Sequence, residues 1–246
     1  MPHRLKFAQL MLAAGAIATL AGCGTSEANA PRAAATAASA LHPVVVELYQ
    51  SQGCSSCPPA NAALNSIADR SDVLALSFAV TYWDRLGWKD TFGSPRFTAR
   101  QQDYASAGRG EVATPEFVVN GTYAVVGSNR GALDAAIVRA GSPSGGPAIA
   151  AAPSSVRVEG GAAGAPATVW LVRYDPQTRE VPIRAGENGG RTLPHRNIVR
   201  ELVKLGDWRG SVATFQLPVA HEAGLASAVF VQRGTGGPIV SARRLS

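Results

Sequence analysis

Continuous apolar runs and helical spacings alternate along the first half of the chain. Apolar runs at 43–47 and 73–80 are typical of buried strands. The segment between them, 59–69, has helical spacing and begins with proline, which is tolerated in a first helical turn. Two strands joined by a helix predict a parallel βαβ unit.

The pattern that follows predicts a helix, a hairpin and a closing helix. Ser94 suits the cap of the first helix and Pro95 suits its first position. Asn120-Gly121 is a strong signal for a two-residue hairpin turn. The predicted order is therefore βαβαββα. Its later ranges are 94–107 for the helix, 116–119 and 123–126 for the hairpin strands, and 129–140 for the closing helix.

The second half consists of short apolar segments separated by turn residues. The stretch 142–154 is rich in Gly, Pro and Ala, so we expect a linker there, between one domain at 43–141 and another at 155–246. Short strands of this kind predict a small antiparallel β domain, a sandwich. The expected segments are 168–174, 180–184, 197–205, 211–217, 226–232 and 238–242.

The first residues have the pattern of an export signal. Arg4 and Lys6 precede an apolar stretch at 7–20. That stretch, of about 14 residues, is too short to favour a membrane-spanning helix. The sequence therefore predicts an exported protein.

The signal ends with Leu20-Ala21-Gly22-Cys23. This sequence resembles the lipobox of bacterial lipoproteins, in which a cysteine is acylated and becomes the first residue of the mature protein. It implies a signal peptide at 1–22, a lipidated Cys23 and a flexible tether within 23–42, which would hold the protein to a membrane on the periplasmic side of the envelope. An ordinary signal peptide cleaved near Ala30 is the alternative.

The size and net charge of the chain exclude few classes of function. The 246 residues are 46% hydrophobic, enough for one large domain or two small ones. The formal net charge is +6, but arginines are scattered singly, without basic runs or interleaved aromatic residues. We therefore expect no nucleic-acid binding.

The pair Cys54 and Cys57 is the main candidate for chemistry. Both lie after the first predicted strand and at the start of the first predicted helix. Free backbone N–H groups and the positive end of the helix dipole favour a thiolate there, and the thiolate is the nucleophile in disulfide exchange. We expect Cys54 to be the more exposed, attacking thiol and Cys57 to resolve the mixed disulfide.

A static disulfide and a metal site are the alternatives for this pair. A bridge across so short a loop restricts the unfolded chain little, which argues against a purely structural role. A metal site needs more soft ligands, and His195 from the second half is the histidine that we expect to come nearest. We assign no metal ligand and no organic cofactor.

The element order, with a dithiol at the start of the first helix, resembles the thioredoxin fold, and Ala113-Thr114-Pro115 resembles its cis-proline turn. The resemblance implies that Thr114 and Pro115 face the dithiol and bind the backbone of a substrate. It also implies that Glu47 is a buried acid that accepts the Cys57 proton. A surface glutamate without a role is the alternative for Glu47.

An aromatic-rich loop follows the second predicted strand. We expect Trp83 and Asp84 to form the rim of the dithiol site and to contact a substrate, because charged residues surround Trp83. Buried packing is the alternative, and we prefer it for Trp88.

A set of motifs lies at 47–60, 82–90, 114–115, 126–128 and 186–201. These motifs are similar to those of a bacterial exported family catalogued as domain of unknown function twelve-twenty-three. That family is placed with thioredoxin-like proteins, and its name leaves the substrate open. In the last motif, Asn188 and Arg191 suit a tight loop with a polar network that links the two halves.

Together these observations predict thiol–disulfide exchange with cell-envelope proteins, supported by an external redox partner. The direction of exchange is left open, because the serines between the two cysteines carry no charge. A non-catalytic protein-binding module with a static disulfide is the first alternative. A metal-delivery protein is the second.

Overall fold

The computed structural model describes residues 41–161 and 166–245. The predicted signal peptide, Cys23 and nearly all of the predicted tether lie outside these residues. Within the described ranges no helix has the length and hydrophobicity to cross a membrane.

The first part of the chain follows the predicted order βαβαββα. Its elements are β1 (Val44–Gln50), α1 (Pro58–Ile67), β2 (Val73–Ala79), α2 (Pro95–Ser106), β3 (Glu116–Val119), β4 (Tyr123–Val126) and α3 (Arg130–Ala140), with a 3-10 turn at Asp84–Leu86. The second part contains strands only. They are β5 (Ala148–Ala152), β6 (Ser155–Glu159), β7 (Ala167–Asp175), β8 (Arg179–Pro182), β9 (Thr192–His195), β10 (Ile198–Trp208), β11 (Ala213–Gln216), β12 (Ala226–Arg233) and β13 (Ile239–Leu245).

Local signals account for the boundaries of the early elements. The Ser94 side chain accepts a hydrogen bond from the Arg96 N–H at the start of α2. Asn120 and Gly121 both have positive φ, 47° and 59°, as a tight hairpin turn requires. A side chain at Gly121 would also collide with the Gly237 carbonyl oxygen, so this turn needs glycine for space as well as for conformation.

One mixed sheet of eight strands runs through both halves of the chain, in the order β13-β12-β7-β10-β2-β1-β3-β4. The prediction of a separate C-terminal sandwich is therefore wrong. Strand β10 lies parallel to β2, with Ile198 opposite Ser77, and the Ser77 N–H donates to the Asn197 carbonyl. This single residue pair joins the strands of the two halves at the edge of β2.

Two smaller antiparallel sheets complete the architecture. Strands β11, β6 and β5 form one, and β8 and β9 form the other. Strand β5 lies inside the segment 142–154, which was predicted to be a linker. The alanine-rich sequence of β5 contains no strand signal, because alanine is uncommon in strands. The strand forms because it pairs with β6.

The two faces of β1 contact different cores. Val44, Val46 and Leu48 pack with α1 and α3, whereas Val45 and Tyr49 pack with α2 and with strands of the second half. Side chains alternate between faces along a strand, so Glu47 lies on the α2 side. This places α1, and the dithiol at its start, on the opposite face from Glu47.

Candidate functional site

The two cysteines lie where the sequence places them. Cys57 is the cap residue of α1, and Pro58 and Pro59 occupy the first helical positions. Cys54 and Cys57 form a disulfide, with their Cα atoms 5.4 Å apart. The pair therefore lies at the positive end of the helix dipole.

Both cysteines are fully buried, at 0% exposure. The expectation that Cys54 is exposed is therefore wrong for this disulfide form. Polar neighbours lie close to its sulfur, because Ser56 Oγ is 3.3 Å and the Thr114 carbonyl oxygen is 3.8 Å from Cys54 Sγ. Residues from the second half of the chain also contact the segment around Cys54.

The turn at Thr114-Pro115 lies against the disulfide. The peptide bond between these residues is cis, as predicted. The Thr114 carbonyl also accepts a hydrogen bond from Ser56 Oγ at 3.4 Å. Trp83 Nε1 donates to Thr114 Oγ1 at 2.7 Å. The structure thus brings Trp83, Thr114 and Cys54 together.

Asp84 is linked to the segment before Cys54 through a second carboxylate, Asp90. Asp84 Oδ1 accepts the Asp90 N–H at 3.1 Å, and Asp90 Oδ2 accepts the Gln52 N–H at 2.7 Å. Burial raises the pKa of Asp90 to about 6, and the Asp84 charge adds to this, while N–H donors from Gln52 and Phe92 oppose it. Asp90 therefore supports the loop that precedes Cys54. No local sequence pattern assigns Asp90 this role.

Trp88 is anchored to the same loop. Its Nε1 donates to Gln52 Oε1 at 2.9 Å, and Gln52 Nε2 donates to Thr91 Oγ1 at 2.8 Å. The ring is partly buried against Val181, Ile183 and Leu193. The preference for packing at Trp88 is thus confirmed.

Residues 186–191 form a cover loop over the dithiol segment. Asn188 is fully buried, and its Nδ2 donates to the carbonyl oxygens of Gln52 at 2.9 Å and Cys54 at 2.7 Å. Gly186 has a φ of +76°, and a Cβ there would lie 3.4 Å from Trp88 Cβ. The predicted link between the two halves is therefore present, and it passes directly over the cysteines.

Glu187 lies in this cover loop and binds the residue after Cys54. Its Oε2 accepts the Ser55 N–H at 3.1 Å and the Ser55 hydroxyl at 2.7 Å. These two bonds hold the pKa of Glu187 below its usual value. Glu187 lies within the motif 186–201, but no local sequence pattern relates it to Ser55, 132 positions away.

Glu47 does not serve Cys57, and that expectation is corrected. The carboxylate is fully buried and pairs with Arg100, whose Nε lies 2.7 Å from Oε1. The Tyr104 hydroxyl donates to Oε2 at 2.5 Å. These partners lie on α2, on the face of the sheet opposite α1. Glu47 therefore neutralises a buried arginine.

His195 packs against α1 from the β8–β9 hairpin. Its Nδ1 lies 3.5 Å from Asn61 Nδ2, one turn after Cys57. Its Nε2 is buried and has no hydrogen-bond partner among the described residues. Burial lowers the pKa of His195 to about 4. Among residues 41–161 and 166–245, no three His, Cys, Asp or Glu side chains are grouped as a metal site requires.

Two solved structures resemble this chain. A crystal structure of a protein from Agrobacterium tumefaciens, from a structural genomics consortium, is 33% identical with a TM-score of 0.66, over 82% of this chain and 93% of that chain. HBP35 of Porphyromonas gingivalis is 14% identical with a TM-score of 0.57, over 84% of this chain and 75% of that chain, which concerns the fold alone.

No curated protein matches this chain. The family model described as a protein of unknown function, DUF1223, matches residues 45–232. That range contains the disulfide, the Thr114-Pro115 turn and the cover loop. The chain therefore belongs to the DUF1223 family of proteins of unknown function.

Proposed function

We propose that this protein exchanges thiols and disulfides with exported proteins through Cys54 and Cys57, on a thioredoxin-like frame. The observation that carries the proposal is the position of the disulfide, at the first turn of α1 and against the Thr114 carbonyl. A substrate chain that paired with the backbone at Thr114 would lie beside Cys54.

The arrangement of the first elements supports the thioredoxin-like frame. Strand β1 lies between β2, which is parallel to it, and β3, which is antiparallel to it. The dithiol follows β1, and the Thr114-Pro115 turn precedes β3. Both therefore lie at the same end of neighbouring strands.

The exchange proceeds in two displacements when the dithiol is reduced. The Cys54 thiolate attacks a substrate disulfide, forms a mixed disulfide and releases one substrate thiolate. Cys57, after losing its proton to water, attacks the Cys54 sulfur and releases the second substrate thiolate. The products are a reduced substrate and the Cys54–Cys57 disulfide. An external dithiol then reduces this pair; the opposite direction runs the same steps in reverse.

We further propose that the protein acts outside the cytoplasm. Its signal-like N-terminus and the lipobox at Cys23 support export and anchoring to a membrane on the periplasmic side. The partners would be envelope proteins with thiols or disulfides and an external redox partner. No nucleic acid is involved.

Exchange requires Cys54 to become accessible, because its residue has 0% exposure in the disulfide form. The cover loop is the element to displace, since Asn188 and Glu187 bond directly to the segment 52–55. The proposed cycle therefore includes an opening of residues 186–191 before the attack.

The same burial favours a second candidate, a protein-binding module with a static disulfide. In this case residues 186–191 stay closed and the disulfide keeps the segment 54–57 in place. The two candidates differ in whether Cys54 ever reacts with another protein.

Trapping in cells tests the proposal. The full-length Cys57→Ser variant retains Cys54 and should accumulate mixed disulfides with envelope proteins, which run as higher-mass bands under non-reducing conditions. The matched Cys54→Ser variant should trap none. If neither variant traps a partner, the binding-module candidate replaces this one.

A further inference from the structure

We infer that Glu187 is a positioning residue that restrains the reactivity of Cys54, because it brings a carboxylate from the second half of the chain onto Ser55. This inference rests on the proposed function, since restraint matters only where Cys54 takes part in exchange. Its evidence is the geometry at the start of α1.

The start of α1 offers few N–H donors to a thiolate. Pro58 and Pro59 have no N–H, and the Cys57 N–H already donates to the Cys54 carbonyl at 3.2 Å. The Ser55 N–H donates to Glu187 at 3.1 Å. Ser56 Oγ, at 3.3 Å from Cys54 Sγ, remains as a neighbouring hydroxyl. Glu187 thus engages the N–H of the residue that follows Cys54.

Glu187 also brings a negative charge to the residue next to Cys54. The nearest compensating charge in the cover loop is Arg191, whose Nη1 donates to Asn188 Oδ1 at 2.8 Å. Asn188 lies between that guanidinium and the Cys54 carbonyl. The carboxylate binds the dithiol segment itself, whereas the guanidinium binds Asn188 within the cover loop.

The charge of Glu187 acts against the thiolate form of Cys54. A neighbouring carboxylate disfavours a thiolate, because two negative charges lie close together. The reduced form is therefore less stable than it would be without Glu187. A less stable reduced form makes the disulfide less oxidising.

The test compares Glu187→Gln with Glu180→Gln in the full-length protein. Glutamine at 187 removes the charge but keeps an oxygen that accepts from Ser55, so the cover loop stays in place. Glu180 is an exposed residue on β8, and its replacement makes the same change in net charge away from the cysteines. The dithiol–disulfide equilibrium is measured in glutathione buffers for each protein.

We expect Glu187→Gln to shift this equilibrium toward the reduced protein by about threefold, which corresponds to about 14 mV. Alkylation of the reduced protein at low reagent concentration should also show Cys54 reacting at lower pH. Glu180→Gln should match the unaltered protein in both measurements. Equal equilibrium constants for all three proteins would overturn the inference.

A third variant distinguishes the effect of the Glu187 charge from its effect on the position of the cover loop. Glu187→Ala removes both the charge and the acceptor, so it should speed reduction of the disulfide by dithiothreitol as well as shift the equilibrium. If Glu187→Ala speeds reduction while Glu187→Gln leaves the equilibrium unchanged, Glu187 only holds the loop closed and the inference is overturned.

These measurements need no substrate, so their outcome is independent of trapping. An equilibrium shift without trapped partners would remove the proposed function and keep the electrostatic effect. Trapped partners without a shift would remove only the role of Glu187.

Discussion

Acid should destabilise this protein through one buried histidine, His195. The residue is 1% exposed, and its Nε2 has no partner among the described residues. A protonated ring would carry an unpaired charge in this position, so burial lowers its pKa to about 4. The unfolded chain has no such constraint and binds the proton near the ordinary value.

The size of the effect follows from the two pKa values. Because the folded pKa lies below the unfolded pKa of about 6.5, the unfolded chain binds more protons as the pH falls. The contribution of neutral His195 to stability is complete above the unfolded pKa. It is lost as the pH falls toward 4, the pKa of the folded state. Linkage gives a loss of about 2 kcal/mol between pH 7 and pH 5, and about 3 kcal/mol by pH 4.

Urea unfolding of the disulfide-bonded protein and of His195→Gln measures this loss. The difference in unfolding free energy between the two proteins should shrink by about 2 kcal/mol from pH 7 to pH 5. Asp90 and the other acids are present in both proteins, so their titrations cancel in the difference. The exposed His221 provides a matched control, since His221→Gln removes the same side chain without altering the buried site. A difference that stays constant with pH would refute the reasoning.

Three further predictions concern other positions. Glu47→Gln should lower the free energy of unfolding in urea by about 3 to 5 kcal/mol, because it leaves Arg100 buried without its charged partner. The glutathione equilibrium of the cysteines should stay unchanged. A shift in that equilibrium would restore the hypothesis that Glu47 accepts the Cys57 proton. Asp90 has a folded pKa raised to about 6, so its contribution to stability is lost as the pH rises through that value. In thermal unfolding, Asp90→Asn should not show this loss of stability. Parallel pH profiles for the two proteins would contradict the prediction. Cys23→Ser should move the protein from the membrane fraction to the soluble fraction of cells, and unchanged fractionation would contradict lipid anchoring.

Several elements were predictable because their signals are local. The cap at Ser94, the prolines at the start of α1 and the Asn120-Gly121 turn each act within a few residues of their own position. The order of the first seven elements and the place of the dithiol follow from such signals.

The remaining features depend on long-range packing. The direction of Glu47 follows from which helix covers which face of β1, and its partner Arg100 lies 53 positions away. The pairing of β10 with β2 joins Ile198 to Ser77. Motif composition suggested a link between the halves at 186–201, but only the three-dimensional arrangement identifies Glu187 and Asn188 as the residues that cover Cys54.

The separation between the cysteines and their cover has a consequence for biosynthesis. Ser55 and Glu187 lie 132 positions apart, so the ribosome completes the cysteine pair long before it reaches the cover loop. At about 5 to 20 residues per second, that delay is roughly 7 to 26 seconds. If the nascent chain crosses the membrane during synthesis, its two thiols meet the oxidising enzymes of the envelope while nothing yet shields them. In that case the disulfide forms before the cover loop closes over it.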